Sequence, residues 1–484
     1  MNDRTIYWHD YETFGADARR DRPAQFAGLR TNEDLQVVGE PQVVYCKPAD
    51  DFLPHPEACL ITGITPQLAF KKGICEAQFI ASVHGELAHP GTCGAGYNSI
   101  RFDDEITRHC LYRNFYDVYA REWQNGNSRW DIIDMVRLTR ALRPDGIDWP
   151  SDKNGVPSFK LENICQANQL EHTSAHDALS DVRATIELAR LIKIRQPKLY
   201  AYIYKQRYKK RVSQLITPGS YNPVLHVSGR FPAKTGCCAV VVPLAWHPIN
   251  QNQIIVYDLS KDPEPLIQLS EDEIKERLFT PAQNLPDGVV RIALKGIQVN
   301  KCPVVVPLTT MRSQDADRLQ IDLALCMRHL DLIKSNSNLT SKIAGVFGAH
   351  PDNAQDDPDL MLYSGGFFND HDKRQMLKIR QAKPTELGQL RLEFQDRRMT
   401  EMFFRYKARN YPHALNQKEA KDWERYRSAR LRDSNATIQI EDYRGIINTI
   451  REKTILDARQ CNILDQLESW ADKVAPSCGG LAAS

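Results

Sequence analysis

Two carboxylates stand two residues apart at the end of an apolar run near the start of the chain: "TIYWHDYETFG" carries Asp10 and Glu12. Residues two apart on a strand share a face. A strand over residues 5–11 therefore sets two like charges side by side, where they repel unless a cation lies between them. Alone, a D-x-E pair is ordinary surface chance. A second acid follows in "GYNSIRFDDEITRH". With Ser99 as cap, Asp103 falls in the first turn of a helix, where the helix dipole favours any carboxylate. The third stretch is "LEHTSAHDALSDVRATIELARLI". Ser174 with Asp177 forms a capping arrangement. It predicts a helix starting near Ala175, with His176 in the first turn and Asp181 one and a half turns on. Helical side chains lean towards the N-terminus, so Asp181 approaches the sheet edge that His176 overhangs.

Each feature is common by itself, and the combination is not. Four gathered carboxylates are prohibitively repulsive without cations, and hard oxygen ligands suit Mg²⁺ or Mn²⁺. Two such ions roughly 4 Å apart stabilise both the attacking and leaving oxygens of a phosphoryl displacement. A nearby His, with an ordinary pKa of about 6.5, takes a proton from the attacking water near neutral pH.

The elements that must position these groups alternate between strands and helices. Strands are predicted over 5–11, 39–45 ("GEPQVVY") and 92–98 ("TCGAGYN"), and helices over 101–120, 131–142, 158–168 and 175–195. This is the pattern of an α/β layer architecture. Pro197 marks a boundary. From about 198 to 350 the runs "VLHVSG", "CCAVVVPLAW", "QIIVYDL", "VVRIAL" and "CPVVVPL" are short and β-branched, which predicts a small antiparallel β barrel. "HPDNAQDDPD", 350–359, reads as an exposed linker, and 360–474 as mostly helices. "GTCGAG" does not have the G-x-G-x-x-G spacing of a nucleotide-binding loop.

A chain of 484 residues with 42% hydrophobic and 26% charged residues is a normal globular protein of two to four domains. It has no apolar run of 18 residues and no signal-peptide pattern at "MNDRTIYWHDYE". Twelve Cys without a C-x-x-C pair point to reduced thiols and a cytoplasmic setting. With a net charge of only +2, a nucleic-acid surface must be local. Residues 397–432 carry eleven Lys/Arg against four Asp/Glu, with aromatics interleaved. That stretch is either such a surface or the solvated face of long helices.

Asp10, Glu12, Asp103 and Asp181 with His176 resemble the four-acid-plus-histidine (DEDDh) 3′→5′ exonucleases of the ribonuclease H-like fold. The blocks "HDYETFG", "DRPAQFAGLRT", "YCKPADD", "LITGITPQ", "GYNSIRFDDE", "YRNFYD", "NSRWDIIDM", "AHDALSDV", "PLAWHP", "NKCPV" and "FRYKARN" narrow the resemblance to the bacterial exodeoxyribonuclease I family. They run from residue 9 to about 410, and the last 70 residues carry little of the pattern. The resemblance implies an exonuclease domain over 1–196, an SH3-like β-barrel domain over 197–350 and a mainly α-helical C-terminal domain over 351–484. It implies processive 3′→5′ degradation of single-stranded DNA to 5′-mononucleotides in repair and recombination, by a cytoplasmic monomer.

In that reading Asp10, Glu12 and Asp181 hold two Mg²⁺ ions, with Mn²⁺ as a substitute. Asp103 completes the site partly through water, and His176 is the general base. Glu12, Phe14 and Asn98 border the terminal nucleotide, although Phe14 equally suits plain wall packing. Arg108 pairs with phosphate. Tyr112, Tyr119 and Trp123, at helical intervals from it, stack on bases or pack in a core. Arg137 and Lys160 match further contacts, Lys160 standing where the family has Arg and so lacking the bidentate fork. The resemblance also implies a protein partner, the single-stranded DNA-binding protein. Its acidic C-terminal tail would meet Arg143 and Arg312, each beside apolar residues, with Lys334 in place of an expected Arg nearby. Two rivals are weighed. An RNA-trimming or proofreading exonuclease would use the same acids, but small RNA trimmers lack the 290 residues that follow. A non-catalytic single-strand-binding scaffold has no reason to keep a charge cluster that repels DNA.

Overall fold

Strand β1, Thr5–Thr13, is buried along nearly its whole length, and this central position organises what surrounds it. The computed structural model describes residues 4–171, 177–336, 338–348, 355–433 and 437–475. β1 pairs antiparallel with β2, Pro23–Asn32, which pairs antiparallel with β3, Gln42–Tyr45. On its other side β1 pairs in parallel with β4, Thr92–Gly96. A strand buried on both faces reads as a continuous apolar run, without alternation. β2 is buried on both faces but mixes Gln25, Arg30, Thr31 and Asn32 with apolar residues, so it shows neither a run nor an alternation, and sequence reasoning did not place it. At Gly28 on β2 the Tyr7 hydroxyl lies 2.2 Å from where a Cβ would sit, so only glycine admits that ring.

The chain divides into two compact units. One comprises Met1–Asn127, Thr173–Arg183 and Asn353–Ser484; the other comprises Ser128–His172 and Ala184–Asp352. In the first unit Tyr11 and Phe26 share a core with Phe79 and Val83 of the Glu76–Leu87 helix and with Met399, Met402 and Tyr406 of the Arg398–Asn410 helix. A second core joins Phe14 and Phe52 to Tyr443, Ile447, Leu464 and Trp470 of the last two helices, Ile440–Lys453 and Ala458–Val474. The C-terminal helices thus complete the apolar cover of the sheet. The second unit opens on β5, Ser128–Asp131, and holds a curled antiparallel sheet of order β10-β6-β7-β8-β9. Its strands are Val224–Val227 (β6), Cys238–Trp246 (β7), Gln253–Asp258 (β8), Leu294–Gln298 (β9) and Val304–Pro307 (β10). Pro243 sits in β7 where the register shifts against β8, a position that tolerates the missing donor.

Several boundaries differ from the reading of the sequence. The helix expected over 101–120 runs only from Asp103 to Arg113, and Phe115 beyond it has φ 64. Its cap is Phe102, because Ser99–Arg101 forms a separate 3₁₀ turn. The helix expected from 175 begins at Ala178. "VVRIAL" is not a strand; β9 starts at its last residue and continues through Gln298. Of the 350–359 linker, residues 355–359 are described, and Pro358–Leu360 is a 3₁₀ turn.

The basic stretch 397–432 is largely neutralised inside the first unit. Arg405 donates to Asp357 at 2.5 Å, to Asp359 at 3.1 Å and to Glu401 at 2.8 Å. Arg409 lies 2.8 Å from Asp51 and 2.7 Å from Asp359. Arg430 reaches Asp51 and Asp357, and Lys407 reaches Glu419. Asp51 is fully buried. Burial pushes its carboxyl up, but Arg409, Arg430 and Arg22 outweigh burial and hold it well below the usual carboxylate range. Removing one partner of such a buried pair leaves an uncompensated charge, at about 3–5 kcal/mol. Asp51→Ala is therefore expected to lower the urea midpoint by an amount of that order. A depressed pKa contributes stability above the unfolded carboxylate pKa and loses it as pH falls, so the deficit should shrink in acid. A deficit below about 1 kcal/mol at neutral pH, in urea unfolding followed by circular dichroism, would refute the network's role.

Candidate active site

Asp10 and Glu12 leave β1 on one face while Tyr11 between them points into the core. The Tyr11 amide donates to Asp103 Oδ1 at 3.0 Å. Asp103 is buried in the first turn of the Asp103–Arg113 helix. Its own carbonyl accepts from Thr107 Oγ1, which lies 2.9 Å from the Tyr11 hydroxyl. Both ends of Tyr11 are thus tied to that helix, and the acids on either side are fixed with it. Asp181 lies in the first turn of Ala178–Arg195, its amide bonded to the Asp177 carbonyl at 3.0 Å.

Carboxylate oxygens of Asp10, Glu12 and Asp181 all lie within 4.8 Å of one another. Burial pushes Asp10 well above the usual carboxylate range, and the charges of Asp103, Glu12 and Asp181 push it further. Glu12 is raised to about 8, by burial first and then by Asp181, Asp103 and Asp177. Converging hard oxygen donors are the donor set a divalent cation needs. The residues present fit such an ion. Asp103 stands outside the three-acid group but acts on two of its members. His176 lies outside the described residues.

The other expected contacts divide. Asn98, exposed and left-handed at φ 60, follows β4 at the edge where β1 carries the acids; Asn tolerates that conformation. Phe14 is fully buried, 5.9 Å from the Phe52 ring, so it packs the wall and is corrected as a substrate contact. Arg108 is ion-paired within the protein. It is 3% exposed, and its guanidinium donates to Glu122 at 2.8 and 3.0 Å and to Glu105 at 2.8 Å. Burial works against its charge, but Glu122 outweighs burial. Tyr112 is buried, its hydroxyl accepting from Arg398. Tyr119 and Trp123 lie past the end of the helix. Tyr119 is half-buried under the Arg108 guanidinium, while Trp123 is 66% exposed. Arg137 pairs with Asp134 at 2.6 Å, and Lys160 is an exposed neighbour of Glu162; both belong to the second unit.

Sequence reasoning missed a cavity of about 540 Å³ beside Asp103, lined by Asp17, Arg19, Arg101, Phe102 and Glu105. Arg19 and Arg101 are exposed there, Arg19 with its Nε 3.4 Å from Asp17. It also missed Phe367, which is 87% exposed and meets Tyr119 edge-on at 6.1 Å. The signals were an Arg four residues past the D-x-E loop's Gly15 and an Arg two residues before Asp103.

The raised pKa values give a pH dependence with a defined sign. Groups whose folded pKa is raised contribute stability below their unfolded pKa and lose it as pH rises through the folded one. The melting temperature of chelator-treated protein is therefore expected to fall between about pH 5 and pH 8. Mg²⁺ should stabilise more at pH 8 than at pH 6, because binding displaces protons. Glu12→Gln should raise the chelated Tm at pH 8 and shrink the Mg²⁺ shift. A shift equal at both pH values, in differential scanning fluorimetry, would count against the cluster.

The sequence profile "Exonuclease" matches residues 7–189, "Exonuclease I SH3-like domain" residues 207–349 and "Exonuclease I C-terminal domain" residues 356–474. Exodeoxyribonuclease I of Escherichia coli K12 is 46% identical over 432 residues, 88% of this chain and 90% of its own length. That of Haemophilus influenzae is 43% identical over 436 residues, 90% of this chain and 92% of its own. Exonuclease I of Methylocaldum szegediense superposes with a TM-score of 0.94 at 52% identity, covering 97% of this chain and 99% of its own. E. coli exonuclease I in complex with a dA16 oligonucleotide gives 0.94 at 43%, covering 98% and 100%. A zinc-bound E. coli complex with single-stranded DNA gives 0.92 at 43%, covering 98% and 99%. With three ordered domain matches and these relatives, the chain belongs to the exodeoxyribonuclease I family and is an exonuclease of the hydrolase class.

Proposed function

We propose that the chain is a processive 3′→5′ exonuclease that degrades single-stranded DNA to 5′-mononucleotides in DNA repair and recombination, as a cytoplasmic monomer. The observation that carries this reading is the convergence of Asp10, Glu12 and Asp181 within 4.8 Å, with Asp103 acting on the first two. The relatives solved with dA16 and other single strands support the substrate. No described helix is long and apolar enough to cross a membrane.

Asp10, Glu12 and Asp181 would hold two Mg²⁺ ions, which supply positive charge to the attacking and leaving oxygens of the phosphodiester. Asp103 holds the β1 backbone between the two acids through the Tyr11 amide, so Asp10 and Glu12 keep their spacing when substrate enters. His176, one residue before the Asp177 that acts on Glu12, is the proposed general base for the attacking water. Arg19 and Arg101 would bind phosphate at the cavity beside Asp103. Trp123 and Phe367 offer exposed ring faces on which bases stack. The tail of the single-stranded DNA-binding protein is proposed to dock at Arg143 and Arg312. Arg143 Nη1 lies 3.6 Å from the buried carboxylate of Asp315, which also accepts from the Arg312 amide at 3.1 Å. Arg312 itself is exposed.

The deciding experiment digests a labelled single strand blocked at its 3′ or its 5′ end and identifies the products. Mononucleotides released only from a free 3′ end are expected. Cleavage of the 3′-blocked strand, or faster digestion of matched RNA, refutes the reading. Asp10→Ala and Asp181→Ala should abolish turnover in folded protein, and His176→Ala should slow it by about 10²–10⁴-fold with single-strand affinity in Ca²⁺ little changed. For the partner, Arg143→Ala with Arg312→Ala should weaken binding of an acidic tail peptide by about tenfold, a loss of roughly 1.4 kcal/mol. Unaltered peptide anisotropy would move that site elsewhere.

A further inference from the structure

A line of lysines and aromatic rings in the first unit is not used by the chemistry above, and it starts at the carboxylates. Glu12 faces Gln25 across β1 and β2, and Gln25 faces Tyr45 across β2 and β3. Directly paired residues project from the same face, so Tyr45 stands about two strand spacings, roughly 10 Å, from Glu12 on the face that carries the acids. Asp177 acts on Glu12 and on Tyr45 alike. Lys72, the last residue of the Pro66–Lys72 helix, sets Nζ 5.3 Å from the centre of the Tyr45 ring. Lys47, two residues past Tyr45, sits 5.5 Å from the centre of Phe70, which is 47% exposed. Lys473 lies 4.3 Å from Phe70 and 4.9 Å from Trp470, whose ring is 6.2 Å from Phe70. All three lysines are exposed. Each meets a ring face, and none is in an ion pair among the described residues.

Ammonium groups alternating with rings match the alternation of phosphate and base in a single strand. The line passes from β1 over two further strands and a helix end to the Ala458–Val474 helix, which is too far for one released nucleotide. It contrasts with the 397–432 stretch, whose arginines are spent on internal carboxylates. We propose that Tyr45, Lys72, Lys47, Phe70 and Lys473 form an auxiliary track for single-stranded DNA outside the catalytic pocket. The lysines hold phosphates, and the exposed part of the Phe70 ring meets a base. The inference rests on the single-strand reading above.

The test uses the full-length protein in Ca²⁺, with a short and a long labelled oligothymidylate, followed by fluorescence anisotropy across a salt series. The Lys47→Ala, Lys72→Ala, Lys473→Ala triple variant is expected to bind the long strand about tenfold more weakly at low salt. Its log–log salt slope should fall by about 2, near 0.7 for each of three lost phosphate contacts. The loss should be smaller for the short strand. Phe70→Ala alone should cost about fivefold or more on the long strand with the salt slope kept, and three Lys→Arg substitutions should restore the slope. A triple variant with wild-type affinity and slope overturns the track. So does a variant that loses an acidic peptide while keeping DNA, which would make the strip a protein-docking surface. Absence of single-strand binding by the wild-type protein overturns the single-strand reading itself, and the track with it.

Discussion

Four acids held close together against their own repulsion are the constraint on which the rest of this structure depends. Burial and the neighbouring carboxylates raise Asp10 and Glu12 together, while the backbone hydrogen bond at Tyr11 opposes the shift at Asp10. The fold fixes two of the acids through the strand residue between them. It does so at Tyr11. The backbone amide between Asp10 and Glu12 is bonded to Asp103, and the Tyr11 hydroxyl contacts Thr107 on the same helix. The ring is buried against Phe26, 4.9 Å away. A single residue whose side chain points into the core thus fixes the strand between Asp10 and Glu12.

A second set of buried charges does a different job. Asp51 and Asp359, almost without exposure, draw Arg405, Arg409 and Arg430 from the C-terminal helices onto the loops that follow β3 and precede the Asp370–Gln381 helix. Each pair would be expensive to desolvate alone. As a network with several bonds per carboxylate, the charges satisfy one another. The apolar contacts of Met399, Met402 and Tyr406 on the core around Tyr11 lie on the same helix as Arg405 and Arg409. The C-terminal helices are accordingly part of the apparatus that shapes the catalytic sheet, and the basic composition of 397–432 reports on packing more than on a ligand.

The acids were legible in the sequence because each obeys a local rule: period two on a strand for Asp10 and Glu12, and a first-turn position for Asp103 and Asp181. What failed was long-range. Arg108 reads as a solvent-facing cation until Glu122, fourteen residues on, folds back onto it. The run "YRNFYD" keeps an apolar rhythm through the end of the helix, so the stop at Arg113 and the positive φ of Phe115 leave no periodic trace. β2 was invisible because both its faces are buried, which erases alternation, while Gln25, Arg30 and Thr31 break the apolar run that would replace it. Phe14 looked like a pocket residue from its position beside the acids, but the bulge after Glu12 and the Phe52 contact turn it into the core. Local pattern thus identifies the acids that converge, while burial decides which of their neighbours stay exposed.

The electrostatics of the pocket also order its events. When the acids ionise without a cation they repel the scissile phosphodiester as strongly as they repel one another. When they stay protonated they cannot hold a cation. A divalent ion removes both obstacles at once, so cation binding and phosphate binding must favour each other, with equal and reciprocal coupling. Arg19 and Arg101 are exposed at the neighbouring cavity, where Asp17 and Glu105 balance their charge and Asp17 pairs with Arg19. Charge compensation and the fixed spacing of Asp10 and Glu12 are therefore separate tasks, and the second rests on the hydrogen bond between the Tyr11 amide and Asp103.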